Sequence, residues 1–117
     1  MVLKRALNAP TRGVVSVVPD TIVWFDGMKK RIHVIFNGRV QGIGFRFTAE
    51  SMAHSLGIGG WVKNIPGGDV EIVAEGPEEI LNDFISQLEV QFEGTIKNKD
   101  ISWEKTTDAF KGFDIKF

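Results

Sequence analysis

Five short stretches between Met28 and Phe117 carry the hydrophobic pattern or composition of β-strands. In the first stretch, every second residue from Ile32 to Phe36 is apolar, which indicates a strand with one buried face. Further strands are predicted over 58–64, 70–75 and 113–117, and Ile101 with Trp103 suggests another. Residues 92–100 are mostly polar and are expected to form a loop.

Two helices are predicted between these strands. The first has apolar residues at intervals of three and four, which place them on one helix face, and it ends at Gly57. Its apolar residues are Phe45, Ala49, Met52, Ala53 and Leu56. The second begins at Gly76-Pro77, with Pro77 at the first helical position. Glu78 and Glu79 lie in the first turn, where carboxylates interact favourably with the helix dipole.

The order of these elements predicts an α+β sandwich of the ferredoxin-like βαββαβ type, in which two helices pack on one face of a mostly antiparallel sheet. The first 27 residues lie outside this pattern. Two apolar runs, Val14–Val18 and Thr21–Phe25, have the composition of short strands but are interrupted by glycine and proline. We therefore expect an N-terminal extension over 1–27, of undetermined order, and a domain over 28–117.

Composition excludes several classes of site. The chain has 117 residues, no cysteine and two histidines, so it offers no disulfide, thiolate ligand, cysteine nucleophile or histidine-rich metal site. Fourteen basic residues balance fifteen acidic ones, which does not favour a nucleic-acid polycation. No apolar run reaches the roughly 18 residues that span a bilayer. We expect no metal, no cofactor, no nucleic-acid partner and no membrane association.

The glycine-rich segment 38–44 is the first candidate for chemistry. It joins a predicted strand to a predicted helix, and such a loop can turn several main-chain N–H groups toward one anion at the positive end of the helix dipole. Arg46 follows in the first turn of the helix and could grip the same anion with its planar guanidinium. From the residues alone, a tight turn beside a solvated arginine is an equally good interpretation.

The sequence Gly-Arg-Val-Gln-Gly-Ile-Gly-Phe-Arg over 38–46, followed by Gly-Trp-Val-Lys-Asn over 60–64, resembles the acylphosphatase family. The resemblance covers 28–117 and implies a small monomeric cytoplasmic hydrolase that cleaves the carboxyl-phosphate bond and releases inorganic phosphate without a cofactor. It implies that Arg46 binds the phosphoryl group and Asn64 orients the attacking water. It also implies a phosphate cradle made of main-chain amides, those of Val40, Gln41, Gly42 and Ile43.

An acyl phosphate explains why so few residues would suffice. Its leaving group is a carboxylate, which needs no proton near neutral pH, so the enzyme must only stabilise the phosphoryl oxygens and position one water. His33, His54, Glu78 and Glu79 are accordingly interpreted as bystanders, and Trp61 as a core residue. Two alternatives stay open at this stage: a non-catalytic acylphosphatase-like domain, and a nucleic-acid-binding ferredoxin-like module, against which Glu71 and Glu75 argue.

Overall fold

The computed structural model describes residues 29–117, and the predictions for the 1–27 extension and Met28 lie outside the described residues. The described part contains five strands and two helices. In chain order they are β1 (Lys29–Gly38), α1 (Phe45–Leu56), β2 (Gly59–Ile65), β3 (Asp69–Pro77), α2 (Glu78–Gln91), β4 (Ile96–Lys105) and β5 (Phe113–Lys116).

The strands form one sheet in the order β4-β1-β3-β2-β5. All neighbouring pairs are antiparallel except β2 and β5, which run parallel. Both helices pack against the same face, because their apolar residues and those of β1 and β3 belong to a single buried cluster. The predicted α+β, ferredoxin-like class is therefore confirmed.

The core follows from the alternation in β1. Ile32, Val34 and Phe36 are fully buried beneath the helices, and Phe36 meets Phe45 of α1 edge to face, with ring centroids 5.6 Å apart. Burial of such side chains removes apolar surface from water and fixes which face of the strand points inward. Neither helix in the described part of the chain is long and apolar enough to cross a membrane.

Two predicted boundaries are wrong. β4 begins at Ile96, so the predicted loop over 92–100 contains the first half of a strand. Nine of its ten residues are exposed, because β4 lies at the edge of the sheet, and no buried face imposes an alternating pattern there. Pro77 is extended, with φ −61° and ψ 141°, and it caps α2 from outside the first turn.

Candidate active site

The glycine-rich loop leaves β1 and enters α1 beside the end of β2, and a small pocket forms between them. Its volume is about 240 Å³. Both predicted catalytic side chains, Arg46 and Asn64, line it. The remaining lining residues are Val40, Gln41, Gly42, Gly44, Phe45 and Phe47. A larger cavity of about 350 Å³ contains neither of the two side chains, so size does not identify the site.

Two glycines give the loop its shape. Gly42 and Gly44 both have φ +80°, in the left-handed region that other residues rarely adopt. A Cβ atom at either position would meet no neighbouring atom within 4 Å, so the backbone angle and not the available space demands glycine. Gly44 is also the residue before the first turn of α1, and no side chain caps that helix end within 29–117. The positive end of the helix therefore adjoins the pocket.

Three of the four predicted cradle amides are available. In the described part of the chain, the N–H groups of Gln41, Gly42 and Ile43 donate to no protein acceptor. The Val40 N–H differs, because it donates to the carbonyl oxygen of Gly68 at 3.3 Å. Three successive amides, 41 to 43, are thus left without a protein acceptor in the described part of the chain, and Gln41 and Gly42 line the pocket.

The Gln41 side chain fastens this loop to the turn between β2 and β3. Its Nε2 donates to the carbonyl oxygen of Ile65 at 2.6 Å and to that of Asp69 at 2.8 Å. The Asp69 carboxylate in turn accepts from Asn37 Nδ2 at 3.0 Å and from the Gly38 N–H at 3.3 Å. These bonds set the distance between the loop and the end of β2, where Asn64 lies.

Arg46, the second residue of α1, is held by the end of β5. Its Nη1 donates to the Lys116 carbonyl oxygen at 3.5 Å, and its Cζ lies 4.8 Å from the centroid of the Phe117 ring. A guanidinium has five N–H donors in a planar fork, so one long bond to a carbonyl leaves donors for an anion in the pocket.

Asn64 carries an unsatisfied polar atom. Its Oδ1 is buried and has no hydrogen-bond partner, and among residues 29–117 no other buried side-chain nitrogen or oxygen is in this state. Asn64 lies opposite Val70 in the β2–β3 pair, which fixes its backbone. A buried acceptor without a partner carries a free-energy penalty of about 1–3 kcal/mol, so such atoms usually bind a water or a ligand.

A family model for acylphosphatase matches residues 32–115. The chain belongs to the acylphosphatase family. The acylphosphatase of Methanospirillum hungatei is 38% identical over 88 residues, covering 74% of this chain and 97% of the relative. That of Salinibacter ruber is 37% identical over 94 residues, covering 77% and 96%. The Bacillus subtilis acylphosphatase crystal structure matches with a TM-score of 0.70 and 31% identity, covering 75% of this chain and 99% of that one.

A larger protein also contains a similar domain. The crystal structure of HypF from T. kodakarensis matches with a TM-score of 0.66 and 30% identity, covering 75% of this chain but only 12% of that protein. The acylphosphatases named above are instead matched over nearly their whole length. The chain is therefore an enzyme of the acylphosphatase family, and this family acts on small acyl phosphates and releases phosphate.

Residues predicted as bystanders lie away from the pocket. His33 pairs with Glu71 at 2.7 Å on the open face of the sheet, and His54 Nε2 lies 2.9 Å from the Phe113 carbonyl oxygen. Glu78 pairs with Lys30 near the start of α2. Within 29–117, no three histidine or carboxylate side chains are close enough to hold a metal ion.

The open face of the sheet corrects the prediction for Trp61. Trp61 is half-buried on the side away from the helices, outside the core cluster, and Lys116 Nζ lies 4.5 Å from its ring centroid. Glu75, on the same face, accepts from Arg31 at 2.8 Å and from the Thr107 N–H at 2.9 Å. Burial raises the pKa of Glu75, but these donors and the Arg31 charge outweigh it, and the pKa falls from 4.5 to about 2.

Two side chains at the site, those of Gln41 and Phe47, go beyond the sequence-based prediction. The clamp made by Gln41 depends on the β2–β3 turn lying against the loop, which the linear sequence does not reveal. Phe47 follows Arg46, lines the pocket and is 65% exposed. Its spacing from Phe45 and Ala49 already removes it from the apolar face of α1, which was the available hint.

Proposed function

We propose that Arg46, Asn64 and the main-chain amides of Gln41, Gly42 and Ile43 carry out the hydrolysis of acyl phosphates in this chain. The observation that carries the proposal is the unpartnered Oδ1 of Asn64, which lines the same small pocket as Arg46 and as a loop with three amides that donate to no protein acceptor. The amides and Arg46 suit the phosphoryl oxygens, and the Asn64 oxygen suits a water.

In the proposed reaction, the phosphoryl oxygens accept from the three amides and from Arg46. This stabilises the charge that these oxygens carry in the transition state. Asn64 accepts a hydrogen bond from the water and holds it in line with the bond that breaks. The water oxygen forms the new bond to phosphorus, and the electron pair of the broken bond stays on the acyl oxygen. A carboxylate leaves, and both water protons end on the phosphate.

No residue is required as a general acid or base. The carboxylate is stable without a proton near neutral pH, and an amide such as Asn64 is too weak a base to take one. We therefore assign the proton of the attacking water to a phosphoryl oxygen of the substrate. This agrees with a pocket in which Arg46 is the only ionisable side chain among the lining residues.

The test separates the two side chains by measuring kcat and the phosphate inhibition constant for each variant, with benzoyl phosphate as substrate. Arg46→Ala should weaken phosphate binding and lower kcat, and Arg46→Lys should do the same, because an ammonium cannot replace a planar fork. Asn64→Ala should lower kcat by about 100-fold or more while phosphate inhibition stays near wild type.

The control is Asn82→Ala, at an exposed position on α2, which should leave both quantities unchanged. Asn64→Ala should also be at least as stable as wild type in urea, because it removes a buried acceptor without a protein partner. If Asn64→Ala loses phosphate affinity while Arg46→Ala retains it, the assigned roles are wrong.

We further propose that the enzyme is a cytoplasmic monomer without a nucleic-acid partner. The family resemblance supports the first two statements. The third is supported by the open face of the sheet, where Glu71 and Glu75 pair with His33 and Arg31 and leave no basic surface on the central strand β3. Light scattering of the purified chain gives the oligomeric state directly.

A further inference from the structure

The pocket is small compared with sites that bury a drug-sized ligand. Its volume of about 240 Å³ is below the roughly 300–1,000 Å³ of pockets that surround a ligand on most sides. The proposed contacts with Arg46 and the loop amides occupy it with the phosphoryl group. With the phosphoryl group beside Arg46 and the loop amides, the acyl group would lie toward the mouth of the pocket, where exposed side chains can contact it.

The mouth is unusually apolar for an exposed surface. Residues 29–117 contain six large hydrophobic side chains that are exposed, and three of them line the pocket or neighbour its lining residues: Phe47, Ile43 and Phe117. Ile43 belongs to the loop, Phe47 lines the pocket, and the Phe117 ring stacks on the Arg46 guanidinium. Single exposed hydrophobic residues are ordinary, whereas a group of them around a cavity marks a binding surface. We call these three residues the apolar rim.

The apolar rim offers exposed apolar surface and aromatic rings to a ligand. Phe47 is 65% exposed, and Ile43 is 44% exposed, so each side chain still has apolar surface that a ligand could cover. Two of the three side chains are aromatic rings, which favour offset or edge-to-face contact with another ring. A small polar acyl group would leave this surface in water.

We propose that the apolar rim selects acyl phosphates whose acyl group is apolar and aromatic, with Phe47 as the main specificity residue. This inference rests on the proposed function, because the phosphoryl group must occupy the pocket for the acyl group to meet the rim. In the proposed geometry Phe47 contacts the acyl group, which is not the reacting centre, so it contributes similar binding energy in the ground state and the transition state. Its effect therefore appears mainly in KM.

The experiment compares kcat and KM for benzoyl phosphate and acetyl phosphate in wild type, Phe47→Ala and Phe47→Leu. The loss of one hydrophobic contact in a binding site lowers kcat/KM by about 10-fold or more, and we expect the smallest of these changes for a contact that is partly open to solvent. Phe47→Ala should lower kcat/KM for benzoyl phosphate about 10-fold with little change for acetyl phosphate. Phe47→Leu keeps an apolar side chain and should recover much of the loss.

The matched control is Val90→Ala, which truncates a hydrophobic side chain that is 74% exposed on α2. It should leave the ratio of the two substrates at the wild-type value. An unchanged ratio in Phe47→Ala, or an equal loss for both substrates, would overturn the inference. Failure of the proposed function looks different, because then Asn64→Ala would keep its activity or Arg46→Ala would bind phosphate normally.

Discussion

The Gln41 side chain offers a direct test of how the site is held together. Replacing Gln41 by methionine keeps the length of the side chain but removes the amide that donates to Ile65 and Asp69 at 2.6 and 2.8 Å. A net hydrogen bond contributes about 0.5–1.5 kcal/mol, so the loss of two predicts about 1–3 kcal/mol of stability. Gln41→Met should therefore unfold at a lower urea concentration with an unchanged slope.

Gln41→Met should also lower the catalytic rate, because it changes the position of the loop amides, although the Gln41 side chain is not proposed to contact the substrate. With the clamp gone, the amides of Gly42 and Ile43 are no longer fixed relative to Asn64, and a displacement of about 1 Å at an active site can reduce the rate about 100-fold. We expect kcat to fall more than phosphate affinity does. Phosphate binding depends on the loop amides alone, whereas attack depends on the position of the loop relative to the water that Asn64 holds.

Two further variants make this prediction refutable. Gln41→Glu places a carboxylate against two carbonyl oxygens and should be worse than Gln41→Met in both stability and kcat. Gln87→Ala, at an exposed position on α2, is the matched control and should behave as wild type. If Gln41→Met keeps its urea midpoint and its kcat, the clamp does not position the loop and the reasoning fails.

Two other predictions concern the domain as a whole. Because the pKa of Glu75 is lowered from 4.5 to about 2, its carboxylate stabilises the fold above pH 4.5, by up to about 3 kcal/mol, and this stabilisation is lost as pH falls toward 2. The difference in unfolding free energy between wild type and Glu75→Gln should therefore shrink as pH falls over that range. The control Glu78→Gln, in an exposed ion pair, should change the unfolding free energy by less than about 1 kcal/mol at every pH. An equal loss of unfolding free energy in Glu75→Gln at pH 2.5 and at pH 7 would contradict this prediction. A 28–117 truncation should retain its circular dichroism and kcat, because residues within 29–117 form a continuous buried core of their own; an insoluble or inactive truncation would show that the first 27 residues belong to the domain.

The elements with one buried face were predictable because burial imposes a period. Ile32, Val34 and Phe36 alternate for that reason, and the stripe from Phe45 to Leu56 follows the helical repeat. The first half of β4 was not predicted, because this exposed edge strand has no buried face to impose a period. Backbone hydrogen bonds to β1 hold it in place, and its side chains follow no hydrophobic pattern.

At the site, the resemblance of two motifs to the acylphosphatase family predicted roles for Arg46 and Asn64, and both side chains line one pocket. The motifs did not predict the hydrogen bonds that connect the loop to its neighbours. That Val40 donates to Gly68, and that Gln41 reaches across to Ile65, depends on which turn lies against the loop in three dimensions. Trp61 was misassigned because a large aromatic residue suggests a core, while its place in the β2 alternation puts it on the open face.

The pairing of β1 with β4 has a consequence for how the active site comes into existence. Gly38, where the glycine-rich loop begins, faces Ile96 across this pair, and Arg46 donates to the carbonyl oxygen of Lys116, so the contacts beside the site join distant parts of the chain. Contacts of this kind require closure of long loops and form slowly, on timescales up to seconds, whereas α1 and α2 are local structures. During refolding, enzymatic activity should therefore return with the closing of the sheet and not with the appearance of helical signal.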